Sequence, residues 1–106
     1  MNENQDTDER TREQLLAAAE LGEVDAQFRI GVGYATGEGG PGDFAEAARW
    51  WRKAAEQGDA LAQRCLASCY AYGWGVAKDE VQAERWYGRA EAWGIRWARD
   101  PRVGGG

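Results

Sequence analysis

The chain has 106 residues, enough for one domain, and its 13 basic and 18 acidic side chains give a formal net charge of −5. This acidity argues against direct binding of nucleic acid, which requires a clustered basic face. Histidine is absent and there are only two cysteines, so the sequence excludes His-based triads and a four-ligand Cys/His zinc site, and we expect no catalytic site, metal or cofactor.

The two ends of the chain differ from its middle. Residues 1–24 contain seven acids and two arginines, whereas residues 95–106 contain three arginines and one acid. We predict a disordered acidic segment over 1–6, a single repeat domain over 7–100 and a flexible glycine tail over 101–106. The amino terminus lacks the basic and apolar stretch of a signal peptide, and no apolar run approaches the ~18 residues of a membrane span. These features predict a cytoplasmic protein without a membrane partner.

The chain repeats itself with a period of 36 residues. Shifting the sequence by one period superimposes pairs of identical residues, among them Gln27 on Gln63, Tyr34 on Tyr70, Gly37 on Gly73, Asp43 on Asp79, Trp50 on Trp86 and Gly58 on Gly94. A fixed period of this length is the signature of stacked helical repeats. The register divides the domain into a half repeat over 7–22, complete repeats over 23–58 and 59–94, and a short carboxy-terminal cap over 95–100.

Each unit has the pattern of two helices joined by a loop that contains glycine. The half repeat predicts one helix over about 7–21, with Asp6 as its N-cap and Gly22 at its end. In the complete units, apolar residues at a spacing of four predict a first helix, here called helix A, over 24–36 and 60–72.

The second helix of each unit, here called helix B, follows an aspartate. Asp43 and Asp79 are each followed three residues later by Glu or Gln, the spacing of a capping box, and the predicted ends are Gly58 and Gly94. Five helices and no strand result. The predicted fold is all-α, with about two and a half helix-turn-helix repeats.

The repeated motifs resemble those of the Sel-like repeat (SLR) family, a tetratricopeptide-type α/α solenoid. The residues that carry the resemblance are A-Q-F-R-I-G-V-G-Y at 26–34, A-A-R-W-W-R-K-A-A-E-Q-G at 47–58, A-Q-R-C-L-A-S-C-Y at 62–70 and A-E-R-W-Y-G-R-A-E-A-W-G at 83–94. The resemblance implies a short right-handed α/α superhelix whose A helices line a concave face. It also implies a scaffold or adaptor for other proteins, without identifying the partner.

Cys65 and Cys69 lie four residues apart on one predicted helix. At this spacing their Cβ atoms lie about 5–6 Å apart, whereas a disulfide requires about 3.5–4.5 Å. Disulfide-linked relatives in the resembled family join helix A to helix B, and neither helix B contains a cysteine here. We therefore expect free thiols in a reducing compartment, with Cys69 in the core and Cys65 towards the concave face.

The six tryptophans fall into two groups. Trp50, Trp51 and Trp86 occupy positions that form the core in the resembled family. The remaining three, Trp74, Trp93 and Trp97, do not occupy core positions of that family. Of these, Trp74 lies in the loop of the second unit, where an exposed tryptophan is typical of an interface.

Trp93, Ile95 and Trp97 form an apolar group at the carboxy-terminal end of the second unit. An exposed apolar patch on a monomer normally has a use. Either the segment folds back as a cap, or two chains meet there in a symmetric contact. We prefer the monomer with a cap over the homodimer.

The A helices carry residues that the core pattern does not use. They are Asp25, Arg29, Val32, Leu61, Arg64, Cys65, Ser68 and Tyr72. Their spacing projects them to one side, so we predict that a partner protein contacts several of them together with Trp74. Arginine and tyrosine are enriched among the residues that dominate interface energetics, which makes Arg64 and Tyr72 the expected centres.

Two functions fit this sequence. The first is a non-enzymatic adaptor or scaffold that binds another protein through the concave helix-A face and exposed aromatic residues. The alternative is a small acidic inhibitor of the phage or mobile-element anti-defence type, such as an anti-CRISPR, which occludes a nucleic-acid-binding or active surface of its target. Binding by acidic mimicry should weaken steeply with salt, whereas aromatic anchoring should not.

Overall fold

The computed structural model describes residues 10–37 and 42–92. In these ranges the chain forms five α-helices and no strand, which confirms the all-α prediction. The helices are α1 (Arg12–Glu20), α2 (Val24–Thr36), α3 (Phe44–Glu56), α4 (Ala60–Tyr72) and α5 (Glu80–Glu91). The bounds of α2 and α4 coincide with those predicted for the two A helices. The predicted amino-terminal disorder, the cap over 95–100 and the glycine tail lie outside the described residues.

Aspartate side chains begin both B helices, as predicted. Asp43 Oδ1 accepts a hydrogen bond from Glu46 N at 3.0 Å, and Asp79 Oδ1 accepts from Val81 N and Gln82 N at 3.1 Å each. These bonds satisfy amide groups that have no partner within the helix. Helix α4 begins in the same way at Asp59. The reciprocal bond that completes a capping box occurs only at α1 among the described helices.

The amino-terminal helix begins later than the sequence analysis predicts. Thr11 Oγ1 accepts from Gln14 N at 3.1 Å, and Gln14 Oε1 accepts from Thr11 N at 2.9 Å. Because this reciprocal pair closes the helix start at Arg12, the prediction of Asp6 as the N-cap was wrong. The signal was in the sequence, since Thr11-Arg12-Glu13-Gln14 has the spacing of a capping box.

Each helix packs against its neighbours along the chain, as in a solenoid. The core contains the three predicted tryptophans: Trp50, Trp51 and Trp86 are 8%, 6% and 6% exposed. Trp51 and Trp86 belong to the larger apolar cluster with Leu66 and Cys69, whereas Trp50 packs in a smaller cluster towards α1. The tryptophans therefore join successive layers of helices.

Candidate functional site

An exposed aromatic group lies where α4 enters its loop. Tyr72 is 63% exposed and Trp74 is 44% exposed. Their rings stack at a centroid distance of 4.9 Å, and Trp74 also contacts the Phe44 ring at 5.3 Å. The three rings connect the end of α4 to the first turn of α3, and the rings of Tyr72 and Trp74 remain accessible to solvent. Exposed aromatic groups of this kind are common anchors of protein interfaces.

The position of Trp74 depends on Gly75, the next residue. Gly75 has a φ of 76°, and a Cβ there would lie 2.3 Å from the backbone of Phe44. Only glycine allows this left-handed conformation and close approach without strain. The loop after α4 is therefore held directly against the start of α3, which brings Trp74 to Phe44.

A recess of about 160 Å³ opens beside this aromatic group. It is lined by Phe44, Trp51, Arg64, Cys65, Ser68 and Trp74. Aromatic rings supply apolar walls, and α4 contributes a guanidinium, a thiol and a hydroxyl. A site of this composition accommodates an apolar side chain, with a small number of polar groups to orient it.

Arg64 supplies the positive charge of the recess. Its side chain is half-buried, and no hydrogen bond or ion pair joins it to another described residue. A guanidinium has five N–H donors in a planar fork and pairs well with a carboxylate. Arg64 is therefore available for an acidic group of a ligand.

The thiol of Cys65 is protonated at neutral pH in this recess. Burial raises the pKa of the thiol, and the nearby Arg64 charge lowers it by a smaller amount. A thiol needs to ionise to act as a nucleophile, so this environment does not activate it. Both Cys65 and Cys69 are free cysteines, as predicted.

Ser68 Oγ lies 3.2 Å from the Tyr87 hydroxyl, and this hydrogen bond connects α4 to α5.

The structure brings together only part of the residue set predicted from the sequence. Arg64, Cys65, Ser68 and Trp74 share the recess, and Tyr72 stacks on its rim. The other four predicted residues do not line it. Asp25 and Arg29 form an ion pair at 2.9 Å on α2, and Val32 and Leu61 are exposed apolar residues on α2 and α4.

Two lining residues were missed in the sequence analysis as members of the site. Trp51 was assigned to the core alone, whereas its ring also forms one wall of the recess. Phe44 had a detectable signal, because it is a large apolar residue directly after the N-cap Asp43 and outside the repeated core pattern. The group predicted at the carboxy-terminal end, Trp93, Ile95 and Trp97, lies outside the described residues.

In the part of the chain that the structure describes, no cluster of His, Cys, Asp or Glu could hold a metal ion. No helix in residues 10–37 and 42–92 has the length and apolar character needed to cross a membrane.

The two complete units match a known family of repeats. The family model described as Sel1 repeat matches residues 24–59 and 60–92, which correspond to the two complete units. The chain belongs to the Sel1 repeat family. The family predicted from the repeated motifs is thereby confirmed, and its members generally act as scaffolds for interactions between proteins.

Solved Sel1 repeat structures share the fold. A Sel1 repeat protein from Oxalobacter formigenes is 34% identical with a TM-score of 0.75, and the match covers 78% of this chain and 63% of that protein. Cysteine rich protein B of Helicobacter pylori is 28% identical with a TM-score of 0.77, covering 82% and 65%. A protective antigen of uropathogenic Escherichia coli with an SLR fold is 28% identical with a TM-score of 0.59, covering 80% and 26%.

The chain thus spans less than two thirds of the length of each of these relatives. No curated protein matches it significantly.

Proposed function

We propose that this Sel1 repeat protein is a non-enzymatic adaptor in the cytoplasm that binds a segment of a partner protein at the aromatic recess. The observation that carries this proposal is the exposed Tyr72–Trp74 stack at the rim of a recess that contains Arg64. Among the described residues, Arg64 is the one charged lining group, and it is half-buried without a partner there. Desolvated aromatic and arginine side chains dominate the energetics of most interfaces. The free cysteines fit a reducing compartment.

The lining also defines the chemistry of the partner segment. Apolar walls formed by Phe44, Trp51 and Trp74 favour an aliphatic or aromatic side chain. The Arg64 guanidinium favours a carboxylate next to it. A segment that combines an apolar side chain with an acidic neighbour satisfies both requirements, and the volume of about 160 Å³ admits one such side chain.

The alternative function, a small acidic inhibitor, is supported by the net charge of −5, which equals the net charge of residues 1–24 alone. Such a protein would bind a basic surface of its target through its carboxylates. Its affinity would then fall steeply with ionic strength, because interactions between exposed charges are screened. Anchoring by Tyr72 and Trp74 depends mainly on apolar burial, which salt does not weaken.

Site-specific photo-crosslinking in the native host tests the adaptor proposal. A photoreactive phenylalanine analogue at position 72 should crosslink a discrete partner, because this position lies at the rim of the recess. The matched control places the same analogue at Val81, an apolar residue of α5 that is 70% exposed and outside the recess. Crosslinking at position 81 without crosslinking at position 72 would contradict the proposal.

Binding measurements with the purified partner then separate the two functions. Trp74→Ala should weaken binding by at least about thirtyfold, since removing an anchor of an interface costs ~2 kcal/mol or more. The affinity of the unmodified chain should change little between low and high salt. A steep loss of affinity with salt, together with unchanged binding by Trp74→Ala, would favour the acidic inhibitor.

A further inference from the structure

The B helices of the two units carry equivalent rows of polar residues on either side of a tryptophan. The row on α3 consists of Glu46, Arg49, Trp50 and Lys53, and the row on α5 consists of Gln82, Arg85, Trp86 and Arg89. Residues spaced by three and four positions lie on one face of a helix. The period of 36 residues superimposes the two rows residue by residue, so the first is an internal reference for the second.

The arginines at the second position of the two rows differ in their partners. Arg49 Nη1 donates to both side-chain oxygens of Glu46 at 2.9 Å each. In the second unit Gln82 replaces this glutamate, and an amide carries no charge that neutralises a guanidinium. Arg85 is exposed, and no hydrogen bond or ion pair joins it to another described residue. Its charge is therefore not compensated in the described part of the chain, as that of Arg49 is.

Arg89 supplies a second guanidinium on the same face of α5. Its Cζ lies 4.6 Å from the centroid of the Trp86 ring, and Trp86 is itself only 6% exposed. A fixed aromatic ring beneath a guanidinium orients it by cation–π attraction. Arg85 and Arg89 are one helical turn apart, so their Cβ atoms lie about 5–6 Å from each other and their charges repel. The pair therefore favours an anion between the two side chains.

A recess of about 40 Å³ lies among Gln82, Arg85, Trp86 and Arg89. One water molecule occupies ~30 Å³ in the liquid, so the recess admits an oxygen of a ligand and not an apolar side chain. Glu56 borders the neighbouring cavity together with Arg89, but no ion pair joins these two described residues. The recess therefore offers two positive charges and one amide to an oxyanion.

We propose that Gln82, Arg85 and Arg89 form a binding site for a phosphate monoester dianion. One guanidinium is enough to pair a carboxylate through two parallel hydrogen bonds. A phosphate monoester has about −1.5 to −2 charges and three terminal oxygens, so it engages both guanidiniums at once. The Gln82 amide adds a neutral donor. A nucleic-acid phosphodiester carries one charge per phosphate, and the net charge of −5 opposes a long polyanion.

This site is separate from the aromatic recess, because the two share no lining residue. Both can therefore be occupied at the same time, and the phosphate site does not depend on the proposed function. Two sources can supply the same chemistry. One is a free phosphate compound, and the other is a phosphorylated side chain of a protein.

NMR titration of the full chain at constant ionic strength tests the proposal. Arg85→Gln and Arg89→Gln identify the side-chain Nε–H signals of the two arginines. Inorganic phosphate, added above neutral pH, should shift both signals and reach saturation. Dimethyl phosphate, a diester with a single charge, should bind at least about tenfold more weakly, since it cannot form charge-assisted bonds with both guanidiniums.

Gln82→Glu is the decisive variant, because it recreates the arrangement of the first unit. The new carboxylate should pair with Arg85 and weaken phosphate binding by at least about tenfold. Leu21→Glu adds the same charge at a residue that is 89% exposed and remote in sequence from α5, and should leave binding unchanged. Equal weakening by the two variants would show a general effect of net charge and would overturn the site.

A second variant keeps the test decisive if Gln82→Glu disturbs the helix. Arg85→Gln, at an exposed residue, should also weaken phosphate binding by at least about tenfold. Unchanged binding by this variant, or shifts that spread equally over all arginines without saturation, overturns the proposal.

Titration with N-acetyl-phosphoserine amide distinguishes the two sources. Binding that is tighter than that of inorganic phosphate supports the site and assigns it to a phosphorylated side chain. Weaker but saturable binding supports the site and assigns it to a free phosphate compound. The absence of a saturable shift with both compounds contradicts a phosphate site on α5.

Discussion

Gly31 on α2 lies against the ring of Trp51 on α3, with no side chain between them. A Cβ at Gly31 would lie 2.5 Å from Trp51 Nε1, well inside contact distance. The ring cannot move away easily, because it is 6% exposed and its N–H donates to the Phe28 backbone oxygen at 3.2 Å. In the second unit, alanine replaces this glycine at Ala67 and the smaller Tyr87 replaces the tryptophan. The large Trp51 ring therefore fits at this position only because residue 31 has no side chain.

Gly31→Ala is expected to destabilise the protein. Overpacking a filled core typically costs ~1–3 kcal/mol, which exceeds the ~0.5–1 kcal/mol that alanine gains over glycine in a helix. Gly88→Ala on α5 is the matched control, since nothing lies within 4 Å of its added Cβ. Urea denaturation should show the Gly31 variant less stable and the Gly88 variant more stable than the unmodified chain. Stabilisation by both substitutions would contradict this packing.

Cys69 is fully buried, and burial, with a smaller contribution from Cys65, raises the pKa of its thiol to about 11 from an ordinary 9.0. Between these pH values the unfolded chain releases this proton and the folded chain retains it. The unfolding free energy therefore decreases as pH rises from 9.0 towards about 11, by at most about 1.4 kcal/mol per pH unit. Cys69→Ala should show a shallower decrease in the same window when denaturation is measured at each pH. Identical slopes would show that the thiol is not protected by burial.

At the scale of the elements, equivalent helices of the two units differ in how they begin. The N-cap residues Glu23 and Asp59 have nearly the same backbone conformation, with φ of −69° and −71° and ψ of 117° and 116°. Asp59 accepts a hydrogen bond from Ala62 N at 2.8 Å, whereas Glu23 forms no side-chain cap. The longer side chain of Glu23 pairs with Arg10 at 2.9 Å on the surface instead.

Glu23→Asp is expected to stabilise α2. An N-cap bond contributes ~0.5–2 kcal/mol, whereas the exposed ion pair that is lost contributes ~0–1 kcal/mol. The reverse substitution, Asp59→Glu, should destabilise α4 because it removes an existing cap. Urea midpoints that move in opposite directions for the two variants confirm the argument. A decrease in both would show that the pair with Arg10 outweighs the cap.

At the scale of the whole molecule, stability depends on contacts between consecutive helices. Such a solenoid exposes the outer faces of its first and last units unless another segment covers them. The smaller apolar cluster shows how the first end is covered, since α1 contributes Ala19 to it together with Leu15 and Leu16. The other end carries the cavity beside Gln63. The two ends therefore differ, and the aromatic recess lies between them.

The sequence by itself determined the repeat, the helices and most of the core. The period of 36 residues, the aspartate N-caps and the apolar spacing of four are local features, because they depend on residues within one or two helical turns. The core positions of the tryptophans at 50, 51 and 86 were predicted from the resemblance to the repeat family, and the structure buries all three. The start of α1 was missed because a second capping signal at Thr11 was overlooked, although that signal is equally local.

Only the tertiary structure decided which residues form the candidate site. The predicted face grouped residues by their position on two A helices, and of these the recess is lined only by Arg64, Cys65 and Ser68 of α4. Phe44 and Trp74 meet because Gly75 lets one loop contact a helix about 30 residues earlier, a distance that no local pattern encodes. The Gln63 side-chain oxygen, which has no hydrogen-bond partner among the described residues, likewise lies beside a cavity lined by α3, α4 and α5. Contacts between layers arise from packing, so they could not be derived from residue spacing along one helix.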